Sequence, residues 1–239
     1  MRLAFEASGT PYSDISNESK DGINAVLAQI SGENIGDEHN PPPLAPPVLK
    51  HGDEITISQT PNILFYLGPK LNLVPKVEED PVGIYHVNAL ALTALDGLSN
   101  EPHDTHHPIA TGDYYEAQKP EALKKAKDYR ANRLPKFLGY FERVLKGAAS
   151  QGGEYLYGGQ LTYADLVFFQ CLDGVSFAFP KCTAKMRESG QYDRAFALYD
   201  RVKGLEKVKA YLESDRRQKY SLGIYRHYPE LDEGGEGDA

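Results

Sequence analysis

Pro46-Pro47-Val48-Leu49-Lys50-His51-Gly52-Asp53-Glu54-Ile55-Thr56-Ile57-Ser58-Gln59-Thr60-Pro61-Asn62-Ile63-Leu64-Phe65-Tyr66-Leu67-Gly68 reads as strand, tight turn, strand, cap and helix. Val48 and Leu49 open a short apolar strand, and His51-Gly52-Asp53 is a turn signal. Ile55, Thr56 and Ile57 are β-branched and suit a second strand. Thr60 is placed as a helix N-cap with Pro61 at the first helical position. Ile63, Leu64 and Leu67 give that helix one buried face. Its N-terminus would present free backbone N–H groups and the positive end of the dipole, with the Thr60 hydroxyl and the Gln59 amide beside them. Such a group suits a carboxylate that arrives with an α-amino group; the alternative is an ordinary capped helix after a hairpin.

Working outward, residues 1–8 have a helical pattern stopped by Gly9, and Tyr12-Ser13-Asp14-Ile15 reads as a short strand. Asp21 to Ile30 suits one short helix, and His39-Asn40-Pro41-Pro42-Pro43 is an extended loop leading into the key strand. Residues 69–75 read as a linker. An apolar stripe of Ile84, Val87, Leu90, Ala91, Leu95 and Leu98 marks a helix over roughly 81–98. A longer helix runs from Pro120 towards Leu145, with Pro135 expected to interrupt it. Leu161-Thr162-Tyr163-Ala164-Asp165 is a second signature: Thr162 caps a helix and Asp165 reaches back to the cap N–H. Two further helices are expected near 192–203 and 205–213.

Taken together, the Pro-strand-turn-strand-Gln-Thr-helix unit and the Thr-x-x-Asp box resemble the glutathione transferases. The resemblance covers nearly the whole chain. It implies a thioredoxin-like α/β domain over 1–70 and an all-α domain over 78–222, while the acidic composition of 223–239 reads as a flexible tail. It further implies that Pro47 is the family's cis proline and that Gln59 and Thr60 hold the γ-glutamyl end of glutathione. Pro46 would offer its carbonyl to the cysteinyl part, with no N–H to donate. In the family, a strand and a loop carrying the Tyr, Ser or Cys that activates the glutathione thiol precede the first helix. On this pattern the first domain is incomplete at its N-terminus by about 15 to 20 residues, and the catalytic residue is expected upstream of Met1. The implied activity is conjugation of glutathione to a hydrophobic electrophile, a detoxification chemistry, in a cytoplasmic homodimer. The alternative is a non-catalytic binding or scaffold protein of the same fold.

The rest of the composition narrows the field. The 239 residues are 41% hydrophobic and 25% charged, as expected of a chain with a sizeable core. A net charge of −8 and a pI near 5.4 argue against nucleic acid as a partner. No apolar run approaches the 18 or so residues of a membrane span, and Arg2 and Glu6 interrupt any secretory leader. Cys171 and Cys182 are expected to be reduced thiols. His103, His106 and His107 have metal-like spacing, but Pro102 and Pro108 bracket them, so a hydrogen-bonded turn and no metal is expected. Lys50, Lys70 and Lys76 flank the anion site in sequence as candidate partners for a glycine carboxylate. Tyr114 and Tyr115 are expected to pack beneath a loop.

Overall fold

The structure, a computed structural model, describes residues 1–233. Helix α1 (Arg2–Ser8) ends where the sequence predicts, because Gly9 takes φ 76° and its N–H returns to the Phe5 carbonyl at 2.8 Å. The strand expected at Tyr12–Ile15 does not form. Tyr12 instead stacks on Phe5 at 5.0 Å, and Asp14 accepts from Arg2 Nε at 2.6 Å. Local pairing with α1 therefore fixes this segment, and Ile15–Glu18 (α2) is a single helical turn. Helix α3 (Gly22–Gln29) matches the expected short helix.

The sheet has two antiparallel strands among the described residues, β1 (Val48–His51) and β2 (Ile55–Ser58). Their register pairs Leu49 with Ile57 and Lys50 with Thr56. Gly52, at φ 62°, makes the turn between them. Asn40, from the proline-rich loop, lies along the outer edge of β2. Its Oδ1 accepts the Thr56 N–H at 2.8 Å and its Nδ2 donates to the Glu54 carbonyl at 3.0 Å, so a side-chain amide satisfies an edge that a strand would otherwise fill.

Helix α4 (Thr60–Lys70) buries Ile63, Leu64, Leu67 and Gly68. It runs through Pro69, so the expected linker begins later than residue 69. Gly68 meets Tyr163 closely: a Cβ there would stand 2.9 Å from the ring. Just beyond α4, the Leu73 carbonyl accepts the Tyr163 N–H at 2.9 Å.

The helical part begins with α5 (Gly83–Leu95), two residues later than Pro81, and continues through a π-helical turn at Asp96–Asn100 into α6 (Glu101–Asp104). The long helix expected from Pro120 is divided in two. Helix α7 (Lys119–Asp128) passes through a π-helical turn at Tyr129–Arg133 into α8 (Leu134–Lys146). Pro135 sits in the first turn of α8, where its missing N–H is tolerated. Helix α9 (Tyr163–Ala178) is buried along nearly its whole length and packs against α5. Around it stand α10 (Pro180–Glu188), α11 (Asp193–Gly204) and α12 (Glu206–Leu212), with α1 docked on α12.

The tail reading of 223–239 is corrected over its described residues. Tyr225 and Leu231 are buried, the Tyr225 hydroxyl donates to the Leu98 carbonyl at 2.8 Å, and Pro229–Glu233 form a last helical turn, α13. Aromatic and apolar side chains inside this acidic stretch give it a surface to bury. Residues 234–239, the remainder of that expectation, lie outside the described residues.

Candidate functional site at the start of α4

The β2–α4 junction is built by an unusual backbone step. Gln59 holds φ 71° and ψ 119°, and its carbonyl accepts the Ile63 N–H at 2.9 Å. Gln59 is thus the capping residue and Thr60 the first helical one, a shift of one position from the sequence expectation. Neither side chain caps the helix. The Gln59 amide is exposed, and the Thr60 hydroxyl has no hydrogen-bond partner among the described residues. The Thr60 and Asn62 amides, in the first turn, have no backbone acceptor there either. Asn62, which the sequence did not single out, donates from Nδ2 to the Ser58 carbonyl at 3.2 Å and so steadies the junction. The result is two N–H groups, a hydroxyl and a carboxamide at the electropositive end of an eleven-residue helix. The Pro46–Pro47 peptide bond, at the entry to β1, is cis.

The three flanking lysines diverge. Lys70 stands over the Tyr66 ring at 4.8 Å, and the Tyr66 hydroxyl lies 2.6 Å from His51 Nδ1. Lys76 pairs with Glu79 at 3.5 Å on the surface. Lys50 faces a cavity of about 500 Å³ shared with Gln29, Asn34, Asp37, Asn40 and Thr56. That cavity is not lined by Gln59 or Thr60.

In the helical part, the Thr162–Asp165 box forms as its spacing predicts. Asp165 Oδ2 accepts the Thr162 N–H and hydroxyl, both at 2.7 Å, while Oδ1 accepts the Leu156 N–H at 2.7 Å. Burial nevertheless pushes the Asp165 carboxyl up to about 6, against these hydrogen bonds. Tyr115 packs as expected, stacked on Tyr228 at 3.9 Å, whereas Tyr114 is 85% exposed. Cys171 and Cys182 are free thiols, and burial raises both, to about 12 and about 11.

The rings of His103, His106 and His107 lie 4.7–5.2 Å apart, but among the described residues no group of three His, Cys, Asp or Glu side chains is placed to hold a metal ion. His106 is buried and its Nε2 donates to the Ile224 carbonyl at 2.9 Å, which ties the C-terminal segment to the end of α6. No described helix is long and apolar enough to cross a membrane.

A family model described as the glutathione S-transferase C-terminal domain matches residues 103–215. A glutathione S-transferase of Plasmodium falciparum is 27% identical over 183 residues, covering 75% of each chain. The rat (Rattus norvegicus) glutathione S-transferase alpha-3 is 30% identical over 168 residues, 70% of this chain and 66% of that one. Among solved structures, prostaglandin synthase D of Nilaparvata lugens superposes with a TM-score of 0.59 at 20% identity, covering 91% of this chain and 92% of its own. A Pi-class glutathione S-transferase of Onchocerca volvulus gives 0.59 at 22% identity, covering 89% and 85%. The structural likeness shows the shared fold: a thioredoxin-like N-terminal domain followed by a helical one. With the sequence relatives covering up to 75% of the chain and the family model matching residues 103–215, the chain belongs to the glutathione transferase family.

Proposed function

We propose that the protein binds glutathione at the start of α4 and conjugates its thiol to hydrophobic electrophiles. The observation that carries this reading is the unspent donor set at Gln59, Thr60 and Asn62: two amides and a hydroxyl without partners at a helix N-terminus. The γ-glutamyl carboxylate would accept from the Thr60 hydroxyl and the first-turn amides, with the Gln59 carboxamide beside the α-amino group. The Pro46 carbonyl would accept the cysteinyl N–H, one bond where a residue other than proline could make two. Names of the sequence relatives support the same substrate. Conjugation requires the bound thiol to ionise near neutral pH before it attacks the electrophile. These residues bind the tripeptide, and the group that stabilises the thiolate is not among them.

A cytoplasmic homodimer fits the exposed apolar positions of α5, where Tyr85 is 63% and Leu92 40% exposed and Phe65 of α4 lies 6.2 Å from Tyr85. Light scattering at micromolar concentration should then return twice the 26.5 kDa chain mass.

The test is calorimetric titration of glutathione, followed by conjugation assays with aryl halides and α,β-unsaturated carbonyl compounds. Saturable binding that falls about tenfold in Thr60→Ala or Gln59→Ala is expected, since each loses a hydrogen bond to a charged group. Absence of binding, or binding indifferent to both substitutions, overturns the assignment. Binding without turnover across the electrophiles would support the non-catalytic alternative.

A further inference from the structure

A second site lies where α7, α10 and α13 meet, on none of the elements that build the α4 site. A cavity of about 460 Å³ there is lined by four cations, Lys127, Arg130, Lys181 and Lys185, against two carboxylates. In a chain of net charge −8 this is a local reversal of sign.

Both carboxylates are already engaged. Asp232 Oδ2 accepts the Lys181 N–H at 2.8 Å and Oδ1 the Cys182 N–H at 3.0 Å, which caps the first turn of α10. Glu233 forms an ion pair with Lys181. Arg130 is different. Its guanidinium makes no hydrogen bond or ion pair with any described residue, and its Nε is buried without a partner. Lys185 is exposed at the rim and likewise has no ion pair among the described residues. A half-buried guanidinium left unpaired is costly, because its N–H groups lose water and gain nothing.

We infer that this cavity binds the phosphate of a small phosphate monoester, with Arg130 as the buried anchor and Lys185 as the rim charge. The arginine fork matches two phosphate oxygens, and Arg130 and Lys185, lining cations without an ion pair among the described residues, together suit a dianion better than a single carboxylate. The volume exceeds that of an inorganic ion, so an organic group fits beside the phosphate. The Cys182 thiol, held protonated by burial, offers a neutral wall and no nucleophile.

The experiment titrates inorganic phosphate and phenyl phosphate into the full chain at constant ionic strength, balanced with sodium chloride. Saturable binding is expected, tighter for phenyl phosphate. Arg130→Gln should weaken it about tenfold and Lys185→Gln by a smaller factor. Lys185 is exposed, so its substitution keeps the test alive if the Arg130 variant fails to fold. Lys76→Gln, a surface lysine elsewhere, should leave binding unchanged. Saturating glutathione should not displace the phosphate, which separates this site from the one on α4. Non-saturable shifts matched by chloride, wild-type affinity in both Gln variants, or equal binding of benzoate would each overturn the inference.

Discussion

Gln59 sits at φ 71° and ψ 119°, a conformation that an L side chain adopts only with strain and glycine adopts freely. Among the described residues, no hydrogen bond from the Gln59 side chain rewards that strain. Gln59→Gly should therefore raise the unfolding free energy by about 1 kcal/mol while weakening glutathione binding. Gln59→Ala should weaken binding without that gain. Urea midpoints and titration calorimetry on the pair decide the matter; a destabilised glycine variant would mean the strain is not there.

His106 makes a second residue-scale case. Burial, with Arg226, His103 and His107 as positive neighbours, holds its imidazole at about 4, against the Ile224 carbonyl that favours the proton. The folded form thus binds fewer protons than the unfolded form between about pH 6.5 and 4. The histidine's contribution is complete above pH 6.5 and is lost as pH falls through 4. His106→Gln keeps a donor for the carbonyl and removes the titration. The stability difference between variant and wild type should shift in favour of the variant as pH drops across that window. A pH-independent difference would sink the assignment.

At the scale of elements, α9 depends on a box whose members lie three residues apart. Thr162→Ala should cost about 1 kcal/mol through the cap. Asp165→Ala should cost about 3 kcal/mol or more, because it strands the Thr162 N–H and hydroxyl and the Leu156 N–H, all buried. Equal midpoint shifts in the two variants would refute that ordering. The Asp165 carboxyl is raised, so the folded form holds its proton longer than the unfolded one. Its contribution is complete below about pH 4 and is lost as pH rises through 6, opposite in sign to His106.

This box, the Gly9 stop and the Gln59–Thr60 junction were legible in the sequence because each partner lies within five residues of the other. The caps that the sequence could not disclose join distant residues. Asn40 reaches Thr56 across 16 positions, Glu142 accepts the Arg194 N–H across 52, and Asp232 caps α10 across 51. Composition marks such residues only as polar. Their burial is decided by packing, and so the Tyr225–Asp232 stretch reads as tail although it is fastened to the π-helical turn at Asp96–Asn100, to α9 and to α10. Tyr12–Ile15 failed for the converse reason: a strand pattern needs a neighbour to pair with, and side-chain contacts to α1 prevailed.

Across the whole molecule, the N-terminal segment meets α12 and the residues that follow it. Arg216 Nε donates to Glu6 at 3.0 Å, Lys207 Nζ to the Ser8 carbonyl at 3.2 Å and Gln218 to Asn17 at 3.2 Å. Leu3 and Ala4 are buried, so α1 draws its stability from the helical part. Helix α4 does the same through Ile63, Leu64 and Leu67. What remains, residues 22–58, rests on two four-residue strands whose side chains are at best half-buried, and it exposes Ile23, Leu27, Ile35 and Leu44. The sequence division at residues 70–78 and the division in cooperative stability should therefore differ, since local opening follows buried apolar contact rather than chain order. Native-state hydrogen exchange should show the α9 amides of Phe168 and Phe169 opening only with global unfolding, α1 and α4 close behind. The β1–β2 amides should exchange on the order of a thousandfold faster, and glutathione should slow them by bracing the β2–α4 junction. If β1, β2 and α9 exchange together at one rate, the sheet is as firmly held as the helical core, and the glutathione-dependent part of this expectation has nothing to act on.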